Sequence, residues 1–316
     1  MQDLLLSSAL VAISVALFAT GAVQADTAHQ SFDVEPGDRL IVDTEWGAIE
    51  VHTWDRPEIE LVVERADKLD LTYDQEAGTT TIQGRKKDAG LFDFFGLAKG
   101  RPPLFRLTVP HQHDLELNTS GGGIEVDDLL GRVSARTSGG SLNFGHIEGP
   151  IEGKTSGGSI SLKGCSGTAS VSTSGGSIRI GEVDGEVRAK TSGGSIHISR
   201  AQGSVQAKTS GGSIKVDEVL GPIEAQTSGG SIRAQLSQQP HGPCHLKTSG
   251  GNVEVSLAAD IGLQVDARTS GGRVSTDFPV VMQGTLDKNS LKTAINGGGP
   301  LMTLRTSGGS IHLRKL

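Results

Sequence analysis

The serines of a recurring TSGG are the first residues with chemistry to offer. They stand at 120, 138, 156, 174, 192, 210 and 228, each 18 residues after the last, and again at 249, 270 and 307. A nucleophilic serine needs a base within hydrogen-bond reach and a third group that orients the base. No His or Asp recurs beside these serines, and no Walker-type phosphate loop occurs. A turn serine bonded to the backbone is the simpler reading.

His111 and His113, in HQH, alternate as residues on one strand face would, which could begin a metal site. A third ligand, His241 or His245, would have to come from far along the chain, so surface histidines are the expectation. Cys165 and Cys244 fall in apolar columns about four repeats apart, roughly 19 Å at ~4.8 Å per repeat and beyond the ~7 Å reach of a disulfide. Two buried thiols are expected. Asp127-Asp128 and Asp217-Glu218 fall at bends of some repeats only, and the GGxGxD calcium repeat is absent. No cofactor or metal is expected.

One column differs. The residue before TSGG reads Arg136, Lys154, Ser172, Lys190, Lys208, Gln226, Lys247, Arg268 and Arg305. Stacked repeats would set these side chains in an outward row. Lys154, Lys190, Lys208 and Lys247 are the candidate contacts for an anionic envelope polymer. The competing reading is a solvated face whose lysines discourage aggregation.

The elements that would hold this row follow from one unit, SIRIGEVDGEVRAKTSGG from Ser177 to Gly194. Ile178 and Ile180 alternate with polar residues, Gly181 to Gly185 make a bend, and Val187 and Ala189 alternate again. Period two means strands with one buried face. Two strands and two turns fill the unit. An identical corner kept in register implies that each corner sits on the last. The expected fold is therefore all-β, a parallel β-solenoid of about 18-residue coils. Small residues at Ala135, Gly153, Val171, Ala189, Ala207 and Ala225 suit a thin interior. The turn glycines Gly157, Gly175, Gly193, Gly211 and Gly229 are expected to hold a backbone angle that a Cβ resists.

Outside the regular repeats the pattern wears. Glu45-Trp46-Gly47 before Ala48-Ile49-Glu50-Val51 reads as a degraded SGGSIRI. Residues 26–118 are thus expected to be divergent N-terminal coils that close the stack, with a loop inserted at 85–103. Within it, 91–99 is rich in Phe and either covers the stack or touches a membrane or partner. Residues 119–316 are the regular solenoid. Pro240 and Pro243 place the extra length of one 21-residue unit in the bend opposite TSGG. Residues 273–296 read as a bulging loop, and the tail SIHLRKL as half a coil that caps the end.

Composition agrees. The chain has 316 residues, 45 of them Gly, and only 3% are aromatic, which fits thin repeated slices rather than one large core. Its net charge of −7 disfavours nucleic acid as a partner. No charge lies between Leu4 and Ala25, and small residues at Val23 and Ala25 suit cleavage before Asp26. Residues 1–25 read as a signal peptide, although the start MQD lacks Lys and Arg. An uncleaved anchor is the alternative. Either places the protein outside the cytoplasm, in the periplasm or at the cell surface.

With Ser192-Gly193-Gly194-Ser195-Ile196 and Ser210-Gly211-Gly212-Ser213-Ile214 as hallmark units, the chain resembles the bacterial family of candidate adhesins also called DUF4097. The resemblance covers roughly residues 30 to 316. It implies a β-solenoid and brings no catalytic residue with it. Three functions compete. The first is a non-enzymatic envelope scaffold or adhesin-like binder, with an envelope polymer or envelope protein as partner. The second is an envelope stress or signalling component that senses a ligand through the solenoid. The third, a carbohydrate-active enzyme, needs a pair of carboxylates facing each other, and the outward columns are mixed and mostly basic or Ser/Thr-like.

Overall fold

A single repeat shows why the chain turns where it does. The computed structural model describes residues 26–87, 101–279 and 288–316. In it Ile178–Val183 and Val187–Lys190 are strands. Ile178, Ile180, Val183, Val187 and Ala189 are all buried, while Arg179, Arg188 and Lys190 are exposed. Each fully buried Ile contributes about 2 kcal/mol of apolar burial.

Equivalent strands of successive repeats pair in parallel and in register. Ile160, Ile178, Ile196 and Ile214 align across one sheet. Ala169, Val187, Val205 and Ile223 align across the other. The chain forms an all-β, largely parallel repeat-sheet fold, with one sheet of 15 strands and one of 14 among the described residues. Their apolar faces meet in one core. The small-residue column keeps that core thin. At Gly153 a Cβ would lie 3.3 Å from the Phe144 ring and 3.4 Å from Leu142, so Phe144 fills the room that the glycine leaves.

The TSGG corner works by contact rather than by backbone angle. None of its glycines lies in the left-handed region, contrary to the expectation for Gly157, Gly175, Gly193, Gly211 and Gly229. These first glycines are exposed, and a Cβ on Gly193 would sit 3.1 Å from the Gly175 carbonyl oxygen. The second glycine is the strict one. A Cβ on Gly194 would stand 2.1 Å from the oxygen of Gly176, and Gly158, Gly176, Gly212 and Gly230 repeat the clash.

That carbonyl is met by threonine. The Thr191 hydroxyl donates to the Gly176 oxygen at 2.8 Å and accepts from the Gly194 N–H at 3.4 Å. Thr155, Thr173, Thr209, Thr227 and Thr248 donate in the same way, and all are buried. The expected side-chain bond of the TSGG serine to the backbone is absent among the described residues, where these serines are exposed. A second ladder uses the serine after the glycines: Ser177 Oγ accepts the Ser195 N–H at 3.2 Å, and Ser195 Oγ accepts the Ser213 N–H at 3.1 Å.

At the C-terminal end, chain order and spatial order part. Leu301–Thr306 lies between Cys244–Lys247 and Leu263–Thr269. Ile311–Lys315 lies between Val253–Leu257 and Val274–Thr276. The tail SIHLRKL is therefore an interior strand, not a cap. Its Ile311 and Leu313 are fully buried, which a last, half-covered position would not allow. The edge of the 14-stranded sheet is formed instead by Ser290–Ile295, antiparallel to Leu263–Thr269, and that of the other sheet by Val274–Thr276, both within the stretch read as a loop. Residues 280–287 lie outside the described residues.

The N-terminal end mirrors this order. Arg39–Thr44 lies between Thr79–Lys86 and Asp114–Thr119. Ala48–Trp54 lies between Leu104–Pro110 and Ile124–Val126. Leu69–Glu76 pairs antiparallel with Thr79–Lys86 and forms one edge, and Thr27–Asp33 pairs antiparallel with Glu58–Glu64 and forms the other. Of the loop expected at 85–103, residues 88–100 lie outside the described residues, as does the signal segment 1–25.

Two predictions follow from the corner. Gly194→Ala will lower unfolding stability by about 3 kcal/mol or more, the upper end of overpacking costs, and Gly193→Ala by less than about 1 kcal/mol. Denaturant midpoints of the two variants check the order. Thr191→Val will cost about 1–3 kcal/mol by leaving the Gly176 carbonyl unmet, whereas Ser192→Ala will change little. Equal losses at 191 and 192 would contradict the threonine relay.

Candidate functional site

The row read from the sequence assembles on the outer face of the 14-stranded sheet. Register places Arg136, Lys154, Ser172, Lys190, Lys208 and Gln226 side by side on successive strands. Lys247, Arg305 and Arg268 continue it, with Arg305 in the place that chain order would give to Arg268. Neighbouring strands lie ~4.8 Å apart, so the row runs for roughly 40 Å.

Its members differ in their partners. Arg136 pairs with Glu152 at 2.6 Å and Arg305 with Asp266 at 2.7 Å. Lys208 pairs with Glu224 at 2.7 Å. Hydrogen bonds from Lys208 and then Gln206 hold the Glu224 carboxyl below the usual range. Arg305 does the same to Asp266. Lys208 is therefore the least available of the four candidate lysines. Lys154, Lys190 and Lys247 are exposed and make no ion pair among the described residues.

Two residues beyond each cation stands the TSGG serine, also outward. On the rungs nearest the N-terminal end the two rows enclose a shallow groove. Asn118, Ser120, Arg136, Ser138, Lys154 and Ser156 line it together with Asp43, which is paired with Arg85, so its walls mix two cations and several hydroxyls with one carboxylate.

Sequence reasoning took Trp46 as bulky cover for the N-terminal cap and gave it no part in a site. Thr44 aligns with Thr119, and the Thr119 hydroxyl donates to the Gly47 oxygen at 2.7 Å. Trp46 thus occupies the first-glycine position of the corner, one rung before the serines begin. A Cβ on Gly121 would lie 3.4 Å from its Cδ1. The ammonium groups of Lys68 and Lys86 stand 5.7 and 5.5 Å from its ring centroid. The signal was the T-E-W-G that replaces T-S-G-G.

The remaining candidates do not converge. Among the described residues no group of three His, Cys, Asp or Glu side chains is placed to hold a metal. His111 is exposed and 3.5 Å from Asp55, but His113 is fully buried rather than on the surface. Neither of its ring nitrogens has a hydrogen-bond partner. Burial pushes the His113 pKa down, while Asp38 and Asp114 pull it the other way. Both cysteines are free and buried, and they lie in different sheets. Cys165 stacks between Ile147 and Val183. The Phe-rich stretch 91–99 lies outside the described residues.

Fold and face together define a parallel two-sheet repeat protein whose long edge presents cations and hydroxyls in register. The profile of the Toastrack DUF4097 family matches residues 38–314, and the chain belongs to that family. No curated protein matches it. Among solved structures it is similar to a candidate adhesin from Parabacteroides merdae, at 9% identity and TM-score 0.34, over 93% of this chain and 97% of that one. A candidate adhesin from Bacteroides fragilis has 10% identity and TM-score 0.28, over 92% and 97%. A candidate lipid-binding protein from Parabacteroides distasonis has 16% identity and TM-score 0.24, over 93% and 98%. Overlays this loose have no bearing on what the chain binds.

His113 yields a test in pH. Its native pKa lies below the unfolded value near 6.5, so below that pH the unfolded chain binds a proton that the native one does not. Stability is then full above pH ~6.5 and falls as pH drops towards the native value. His113→Leu will flatten the stability profile in that window relative to the parent. Superimposable slopes would show that His113 is already protonated or solvated in the native state.

Proposed function

We propose that the protein is a non-enzymatic, extracytoplasmic binding rod, an adhesin-like or scaffold component of the cell envelope. Its basic sheet face would engage an anionic envelope polymer. In this reading the stack is a β-solenoid of 18-residue coils, with antiparallel edge strands on both sheets at the N-terminal end and on one sheet at the other. The observation that carries the reading is the register-aligned cation row on a chain of net charge −7, with Lys154, Lys190 and Lys247 unpaired among the described residues. A rigid row of ammonium groups suits an extended, irregular anion, because each acts as a point charge on a flexible stem. Export rests on the uncharged stretch before Asp26. Among the described residues no helix is long and apolar enough to cross a membrane.

Retention on isolated envelope material at low salt tests the reading. The triple Lys154→Gln, Lys190→Gln, Lys247→Gln variant will lose about tenfold in affinity, three exposed contacts at roughly half a kcal/mol each. Lys208→Gln alone will lose far less. High salt will erase the difference. Equal retention of parent and triple variant at low salt would reduce the row to a solvated face, and saccharide cleavage by the purified protein would overturn the non-enzymatic reading.

A further inference from the structure

We infer that the serine–glycine corner beside the cation row is a docking track for an acidic polysaccharide, with Trp46 as the platform at its end. The inference rests on the basic-face reading above and narrows the polymer to a sugar one.

Three adjacent lanes run along the corner. The outermost is the cation row. The next is formed by the exposed serines Ser120, Ser138, Ser156, Ser174, Ser192 and Ser210 and their successors, whose hydroxyls have no partner among the described residues. The third is bare glycine backbone. The first glycines of each corner are exposed and carry nothing above the chain, so the lane is flat. Its far side is bounded by the second serine ladder. Ser159, Ser177 and Ser195 each accept a backbone N–H from the following rung and keep the hydroxyl proton to donate.

Cations alone would hold any polyanion. The other two features select among them. A double row of hydroxyls that both donate and accept matches a ligand that does the same along its length, which polyphosphate does not. A flat lane that ends against an indole matches rings with apolar faces, since tryptophan offers an apolar body beside polar groups. Trp46 is half-buried and takes the first-glycine position, in line with the lane. Its backbone is fixed, because the Thr44 hydroxyl donates to the Trp46 carbonyl at 2.9 Å and accepts its N–H at 3.3 Å. Lys68 and Lys86 lie over the Trp46 ring, with the Glu45 carboxylate accepting the Lys86 backbone N–H next to it, so a sugar reaching the indole meets two ammonium groups, which favours a carboxylate-bearing sugar over a neutral one. The groove lined by Ser120, Ser138 and Lys154 joins the cation lane to the serine lane directly next to this end.

Binding of three polymers to the purified protein decides the matter: polygalacturonate, dextran and polyphosphate at low salt. Trp54→Phe serves as the background, so that the fluorescence of Trp46, the remaining one of two tryptophans, reports its own surroundings. Polygalacturonate is expected to bind tightest and to shift that emission. Trp46→Ala will weaken it about tenfold, the size of a lost aromatic contact. Because Trp46 also lies at the end of the stack, a second variant stands apart from it. Ser192→Tyr, at an exposed position in mid-lane, will obstruct the track and weaken binding comparably while leaving the thermal midpoint unchanged. If polyphosphate binds as tightly as polygalacturonate and neither variant matters, the track is wrong and the basic face alone stands. If dextran binds equally, the charge has no part, and both readings fall. If none of the three binds, both fall as well.

Discussion

The stack depends on how closely the second glycine of each corner approaches the rung before it. At Gly194 there is no room for a single methyl group against the Gly176 carbonyl. Sheet hydrogen bonding holds the strands at ~4.8 Å, and a tight corner must match that rise or strain the sheets. Glycine lets the backbones close to that distance. The approach also buries a carbonyl that no N–H reaches, and the Thr191 hydroxyl supplies the missing donor. Glycine and threonine are thus two halves of one solution. Once the corner is fixed, the residues on either side of it have no freedom of register. The outward cations and serines become rows because the inward pair allows nothing else.

Open repeat sheets leave unpaired edges that invite association. The chain meets the problem in a similar way at both ends, although Val274–Thr276 remains a parallel edge strand of the 15-stranded sheet. Seen from the middle of the stack, it runs to an outer coil, turns back along an antiparallel edge strand, and returns to fill an inner coil. Ile311–Lys315 and Arg39–Thr44 are accordingly bonded on both sides although they lie near the chain ends. Ile311–Lys315 is thus held by a neighbour on each side, whereas the edge strand Thr27–Asp33 has one. The same continuity carries the threonine ladder through the inserted rung, since Thr306 reaches Gly251 and Thr269 reaches Gly309.

Much of this was legible before any coordinates. The spacing of TSGG announced the register, the alternation of Ile178 and Ile180 the buried faces, and the column from Arg136 to Arg305 the basic row. What stayed hidden was hidden for physical reasons. The step from Ser249 to Ser270 matches direct stacking, so nothing local reveals that the Ser307 corner slips between them. Serine and threonine are equally plausible turn residues by type, and only their opposite orientation assigns the bond to threonine. The Lys208–Glu224 pair joins strands with 14 residues between their ends, a contact that a column of single residues cannot show. His113 looked like a surface residue because polar neighbours flank it, whereas its position between two coils seals it off.

A continuous corner is what turns single lysines and serines into unbroken rows, the premise of the proposed polymer face. Its most demanding segment is the inserted rung, where chain order and spatial order disagree. Engineered cysteines there give the most direct test. A disulfide needs Cα atoms within ~7 Å, which adjacent rungs satisfy and rungs two apart, at roughly 10 Å, do not. With Cys165 and Cys244 replaced by alanine, the pair Ser249→Cys and Ser307→Cys should close readily on oxidation, and the pair Ser249→Cys and Ser270→Cys should not. The reverse outcome would mean that the repeats stack in simple chain order, and the continuous track through the Arg305 rung would be lost with it.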